Sequence, residues 1–146
     1  MINILFVCHG NICRSPMAEF IMKDLIKKAN LKDKIYIESC ATSTEEIGND
    51  IDYRAKEKLD ENKIPYTKRK ARQMTQNDYD KFDYIVLMDY NNLRYLGYLG
   101  IEDTKQKMQI WNVDDPWYTG NFTKAYNEIF NGCEKLLSEI LNKRGI

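Results

Sequence analysis

Four short apolar runs alternating with helix-like stretches predict a three-layer α/β domain, a four-stranded parallel sheet with helices on both faces. Three observations carry that prediction. The chain opens on the apolar run Ile4-Leu5-Phe6-Val7, suited to a strand buried on both faces, and a helix start follows closely. Three further apolar runs are too short for helices. The last stretch carries a single apolar stripe of helical period.

The elements follow in order. Ser15-Pro16 reads as a helix opening, with Ser as N-cap and Pro in the first turn. Ala18, Ile21, Leu25 and Ala29 form its inward stripe, with Met22 and Ile26 alongside. Ile35-Tyr36-Ile37-Glu38-Ser39 reads as the second strand. A helix covers about 51 to 62, with Ile51, Ala55 and Leu59 spaced four apart and Pro65 just past its end. Tyr84 to Met88 is the third strand and Ile110 to Val113 the fourth. Ala125, Ile129, Cys133, Leu136 and Ile140 stripe the final helix. Right-handed crossovers put the strand C-terminal ends on one edge, where open sheets bind ligands, and the polar stretch from Ala41 to Asp50 reads as a loop there.

A chain of 146 residues suggests one domain, 1–146, able to bury a core without metal or disulfide staples. Lys+Arg and Asp+Glu both number 22, so no net charge drives the chain toward nucleic acid or an anionic membrane. No apolar run approaches the roughly 20 residues of a membrane helix. The start lacks the basic and long apolar segments of a signal peptide, so the expected compartment is the reducing cytoplasm. There cysteines tend to be buried, catalytic or metal-binding. One histidine, His9, and no CxxC pair leave little from which to build a metal site, and no metal or other cofactor is expected.

The first strand ends directly in Cys8-His9-Gly10-Asn11-Ile12-Cys13-Arg14-Ser15-Pro16. A nucleophile, five residues, an arginine, a hydroxyl and a helix start together describe a phosphate cradle. The five residues can curl so that backbone N–H groups face one point, and Gly10 and Asn11 tolerate the left-handed conformations that a curl needs. The helix start adds unpaired N–H groups at the same point. Arg14 offers a planar fork for two phosphate oxygens. Such surroundings favour a thiolate at Cys8, ready to attack phosphorus, and Ser15 could hydrogen-bond the sulfur. The competing reading is a buried structural cysteine followed by an unrelated surface arginine. The strand before the motif and the helix start after it favour the cradle.

A second motif, Asp114-Asp115-Pro116-Trp117-Tyr118, offers a carboxylic acid on a proline-stiffened loop. Expelling a phenolate requires a proton donor, and Trp117 and Tyr118 could form an aromatic lip for a substrate ring. An ordinary Asp-Pro turn is the alternative.

The stretch from Val7 to Glu19 resembles the phosphate-binding loop of low-molecular-weight protein tyrosine phosphatases. The similarity continues through Lys70-Ala71-Arg72-Gln73, Phe82-Asp83-Tyr84-Ile85, Met88-Asp89 and Asn92-Leu93, and the 114–118 stretch resembles the family's acid loop. The resemblance implies a four-stranded parallel sheet of flavodoxin-like or Rossmann-like type. It also implies a protein tyrosine phosphatase that hydrolyses phosphotyrosine and small aryl phosphates through a phosphocysteine intermediate. Cys8, Arg14 and Asp115 would be catalytic, with Asp114 the fallback acid. His9, Gly10, Asn11, Ile12, Cys13 and Ser15 would form the phosphate-binding loop, with His9 on the pocket wall. Cys13 would be a redox partner forming a reversible disulfide with Cys8, against the plain alternative of a packing cysteine. Phosphate and vanadate would inhibit by occupying the cradle. Arg72 and Asp89 match family positions near the site, although surface pairing explains them as well. Cys40 and Cys133 read as buried.

The chain departs from many relatives at the lip, where Glu45 and Glu46 put two carboxylates at the mouth. Ile12 fits tyrosine-specific members, whereas relatives acting on phosphoarginine tend to carry Thr. The alternatives are an arsenate reductase of the same fold and a phosphopeptide-binding module without turnover. The first resembles a relay through cysteines near the third strand, and residues 82 to 89 contain none. The intact set of Cys8, Arg14 and Asp115 argues against the second.

Overall fold

The structure is a computed structural model and describes residues 1–145. Four strands, β1 (Ile2–Cys8), β2 (Ile35–Ala41), β3 (Tyr84–Leu87) and β4 (Met108–Ile110), form one parallel sheet in the order β2-β1-β3-β4. Six helices accompany them: α1 (Arg14–Lys28), α2 (Tyr53–Glu61), α3 (Gln76–Lys81), α4 (Tyr90–Tyr98), α5 (Pro116–Thr119) and α6 (Phe122–Arg144).

β1 occupies an interior position, paired along its whole length with β2 and from Ile4 to Val7 with β3. Its side chains alternate between two cores, as the period of a strand demands. Ile4, Phe6 and Cys8 face a core built with α1, α2 and α6; Leu5 and Val7 face a smaller one beneath α3 and α4. A strand buried on both faces must be apolar throughout, which is why Ile4-Leu5-Phe6-Val7 reads as an uninterrupted run. The stripe of α6 is buried as predicted, from Ala125 through Ile129, Cys133 and Leu136 to Ile140.

Several boundaries differ from the sequence reading. Ser15 is not the N-cap of α1: the helix begins at Arg14, Cys13 holds the cap position, and no side chain caps it. The Ser15 hydroxyl is drawn instead to the Cys8 sulfur, 3.0 Å away. Ala29 lies past the end of α1 and is exposed, and Leu25 is only partly buried. Residues 51 and 52 precede α2, whose N-cap is Asp52, its side chain accepting from the Arg54 N–H at 2.9 Å. The third strand ends at Leu87. The fourth strand is 108–110 rather than 110–113. The chain beyond it still follows β3, through Trp111 N–H to Leu87 O and Val113 N–H to Met88 O, but the left-handed Asn112 (φ 56°) breaks the ladder between them. Nothing in the sequence reading marks helices α3 and α4; both start with capping boxes, Thr75 with Asp78 and Asp89 with Asn92. Among the described residues no helix is long and apolar enough to cross a membrane.

Gly132 of α6 lies under the Trp111 ring, and a Cβ there would sit 2.7 Å from two ring carbons. The ring cannot simply swing away, because it packs edge-on against Phe6 at 5.7 Å and its Nε1–H donates to Gln109 Oε1 at 2.9 Å. Alanine gains about 1 kcal/mol over glycine in a helix, while overpacking a core costs about 1–3 kcal/mol. Gly132→Ala is therefore expected to lower the urea midpoint at unchanged slope, by about 1 kcal/mol of stability. A raised midpoint would mean that Trp111 yields.

Candidate active site

The loop after β1 is wound by one residue. Asn11 is left-handed (φ 59°) and fully buried, and the turn it makes brings two backbone N–H groups onto the Cys8 sulfur. Asn11 N–H lies 3.3 Å from Sγ and Ser15 N–H 3.4 Å. Every polar atom of the Asn11 side chain is used. Its Nδ2 donates to Ser15 Oγ at 2.8 Å and to Ser39 Oγ at 2.9 Å. Its Oδ1 accepts from the Arg69 guanidinium and from Arg72 N–H. Because Ser15 Oγ accepts from Asn11, its own proton can point only outward, to the sulfur at 3.0 Å or to Cys40 O at 3.4 Å. Ser39 in turn donates to Glu19 Oε1, which ends the chain of bonds on a buried carboxylate.

Arg14 is 2% exposed and follows the loop directly. Its Nη1 donates to Asp89 Oδ2 at 2.7 Å and to Val113 O at 2.8 Å; its Nη2 lies 3.5 Å from Asp115 Oδ2. Burial works against the guanidinium charge, yet Cys8, Asp115 and Asp89 together hold it protonated. Asp89 comes from the end of β3 and Asp115 from the loop after β4, so three strand ends converge on one guanidinium.

Asp115 caps α5 with one oxygen, Oδ1 accepting Trp117 N–H at 3.0 Å, and turns the other toward Arg14. Asp114 points elsewhere: it is exposed and meets Lys124 at 3.4 Å. The two adjacent carboxylates, equivalent in sequence, are thus separated by their surroundings.

A cleft of about 120 Å³ opens above the sulfur. Cys8, Gly10, Cys13 and Arg14 line it together with His9, Ile12, Glu45, Glu46, Asp115, Trp117 and Tyr118. Trp117 and Tyr118 are 51% and 82% exposed, at its lip. Glu45 pairs with His9 Nε2 at 3.1 Å, and the Glu46 stem packs against Gly10 while its carboxylate takes a bond from Asn49. The loop bearing both glutamates is stitched to the cysteine loop by Thr42 N–H to Cys8 O and Ser43 N–H to His9 O, each 3.0 Å. All four cysteines are free and buried. Burial pushes the Cys13 thiol up, and Cys8, Asp52 and Asp115 add to it. Cys40 and Cys133 are raised chiefly by burial as well. Among the described residues no group of three or more His, Cys, Asp or Glu side chains is arranged to hold a metal ion.

Every residue of the predicted loop, catalytic set and lip lines this one cleft or the turn beneath it. Sequence reasoning missed Arg69, Ser39 and Glu19, and left Asp89 open between a position near the site and a surface pair; its bond to Arg14 puts it in the site. Asp89 had a signal, its place directly after an apolar strand; the other three had none that a single sequence displays.

The family model for low molecular weight phosphotyrosine protein phosphatases matches residues 3–145. The chain belongs to that family. Within it, the chain is 39% identical to low molecular weight protein-tyrosine-phosphatase YfkJ of Bacillus subtilis, with 99% of each chain covered. The YfkJ crystal structure superposes with a TM-score of 0.93, at 38% identity over 98% of this chain and 96% of that one. A low molecular weight protein tyrosine phosphatase from Streptococcus pyogenes gives 0.88, also at 38% identity, covering 96% and 93%. The human low molecular weight phosphotyrosine protein phosphatase is 35% identical, with 94% of each covered. The two solved phosphatases share this fold.

Asp115, not Asp114, lines the cleft and faces Arg14, which makes it the carboxyl group to test as the acid. Asp115→Asn keeps the helix cap, since Asn caps as well as Asp. It is expected to lower kcat/KM for aryl phosphates with poor leaving groups by about a hundredfold or more, and far less for good ones. Asp114→Asn should change either by less than about twofold, as a weak exposed ion pair implies. The reverse ranking, read from kcat/KM across a leaving-group series, would move the acid by one residue.

Proposed function

We propose that this chain is a protein tyrosine phosphatase that hydrolyses phosphotyrosine, in a protein or as a small aryl phosphate, through a phosphocysteine intermediate. One observation carries the reading: two backbone N–H groups and the Ser15 hydroxyl converge on the Cys8 sulfur, while Arg14 beside it is bonded to Asp89 and faces Asp115.

In the first step Cys8 Sγ attacks phosphorus as the thiolate, and the bond to the tyrosine oxygen breaks in line with it. The loop N–H groups and Arg14 hold the equatorial oxygens, where charge accumulates. Asp115 gives its proton to the departing oxygen. In the second step the Asp115 carboxylate takes a proton from water, the oxygen attacks phosphorus, and the phosphorus–sulfur bond breaks to release phosphate and the thiolate. The Ser15 hydroxyl donates to the sulfur as it leaves. The positive field comes from Arg14 and the loop N–H groups. Phosphate and vanadate fit the same cradle and are read as competitive inhibitors. The span of the family match supports reading 1–146 as one catalytic domain, and four free cysteines suit a reducing cytoplasm.

Cys13 is read as the redox partner of Cys8. Peroxide would oxidise the Cys8 thiolate to a sulfenic acid, and the Cys13 thiol would condense with it, releasing water and closing a disulfide. An uncharged, buried Cys13 competes poorly as a first target, which suits that order of events.

Cys8→Ser removes the ionised nucleophile but leaves Asn11, Arg14 and the N–H groups. Turnover of an aryl phosphate is expected to vanish, while phosphate or vanadate still binds, as titration calorimetry would show. Substantial residual turnover would remove Cys8 from its role.

Glu45 and Glu46 place two carboxylates on the lip that meets residues flanking the phosphotyrosine. Replacing both with Gln is expected to raise kcat/KM for peptides with acidic flanks. The gain should be larger at low salt, since the Debye length is only about 10 Å at 0.1 M. Small aryl phosphates should be unaffected. Equal gains for acidic and basic peptides, at either ionic strength, would rule out a rim-charge effect.

A further inference from the structure

We propose that Arg54 is a positioning residue for the acid: its guanidinium holds the segment bearing Asp115 against the cysteine loop. The proposal rests on the phosphatase reading above. It begins from a cation seated among aromatic rings, with its plane already fixed. Asp52 takes Arg54 Nε on one oxygen at 3.0 Å and Nη2 on the other at 3.2 Å. So oriented, the guanidinium carbon lies 4.7 Å from the ring centre of Phe122, 5.0 Å from that of Trp117 and 5.6 Å from that of Tyr53. A planar cation stacks well on such faces.

The identity of the rings matters. Trp117 and Phe122 stand near the two ends of the short segment that carries the acid. That segment starts at Asp115-Pro116, makes the single turn of α5, bends at the left-handed Gly120 (φ 72°) and enters α6 at Phe122. Phe122 is buried and fixed, whereas Trp117 is half-exposed. Arg54 therefore ties the exposed end of the segment to its buried end. The coupling to the acid is direct, because Asp115 Oδ1 accepts the Trp117 N–H at 3.0 Å, so the Trp117 backbone and the carboxylate shift together. At its other side the tie reaches the nucleophile loop: Asp52 N–H donates to Ile12 O at 2.9 Å. A continuous path thus runs from the cysteine loop through Asp52, Arg54 and Trp117 to Asp115. No bond to Arg54 enters the cleft, so it touches no reacting atom and acts only through where it places the acid.

That role has a signature different from general structural support. A displaced acid harms the expulsion of poor leaving groups and barely touches good ones, whereas a damaged cradle harms both alike. Full-length Arg54→Gln and Arg54→Lys are to be measured for kcat/KM over aryl phosphates of graded leaving-group quality, with thermal melts alongside. Arg54→Gln should lower kcat/KM roughly tenfold for the poorest leaving groups and less than about twofold for nitrophenyl phosphate, steepening the dependence. Arg54→Lys keeps charge without the planar stack and should fall between. Asp52→Asn, which keeps the α2 cap but removes the carboxylate that fixes the guanidinium, should steepen the dependence in the same sense; it carries the test if Arg54→Gln fails to fold. Uniform losses across the series, or none, in variants of an active wild type would overturn the positioning role alone. A wild type inert on the whole series would overturn the phosphatase reading, and the role of Arg54 with it.

Discussion

The active site depends on one buried amide. Asn11 stands in a backbone conformation that most residues avoid, and only because both ends of its side chain are fully bonded does the loop keep its curl. Remove either set of bonds and the turn loses its reason to be left-handed. The N–H groups of Asn11 and Ser15 then no longer meet at the sulfur. The bonds come from three separate places in the fold: α1, β2, and the stretch between α2 and α3 that supplies Arg69 and Arg72. The sheet and its flanking helices thus act on the chemistry through a single side chain.

The electrostatic balance is just as concentrated. Arg14 is almost fully enclosed, a costly place for a charge unless partners surround it. Asp89, Asp115 and the Val113 carbonyl do so, and each sits at or just beyond the C-terminal end of a strand. Arg69 is different: burial lowers its pKa, and among the described residues its guanidinium donates only to carbonyl oxygens of Asn11 and Asn49. The charges of Glu19, Cys8 and Asp50 act on it from further away.

Much of this was legible beforehand, for identifiable reasons. β1 and α6 are heavily buried, so their residues carry the strand and helix periods undiluted. The Cys8 loop could be read because its chemistry needs fixed spacing along the chain. Helices α3 and α4 could not, since they bury little: of Gln76-Asn77-Asp78-Tyr79-Asp80-Lys81 only Asp78 and Tyr79 are inside, and no apolar stripe announces the helix. Their capping boxes were the available signal. β4 starts two residues and ends three residues before the stretch read as strand, because Trp111 and Val113 look like strand and only the backbone of Asn112 says otherwise. Ser39 and Arg69 had no sequence signal because their partner, Asn11, lies 28 and 58 residues away, and Glu19 had none because its partner, Ser39, lies 20 away. Contacts of that kind exist only after folding.

The interior position of β1 also bears on how the protein comes into being. The first strand made is flanked on one side by the next, β2, and on the other by β3, which emerges much later, and the anchor of Arg14 on Asp89 spans 75 residues while that on Val113 spans 99. At a translation rate of about 5–20 residues per second, the nascent chain carries Cys8 for several seconds before its cradle can close. Over that interval the cysteine has neither the guanidinium's anchors nor the acid loop beside it. On the proposed reading, catalytic competence therefore arrives late, with the last third of the polypeptide, and a chain cut short before Asp115 would hold Cys8 without the groups proposed to work with it.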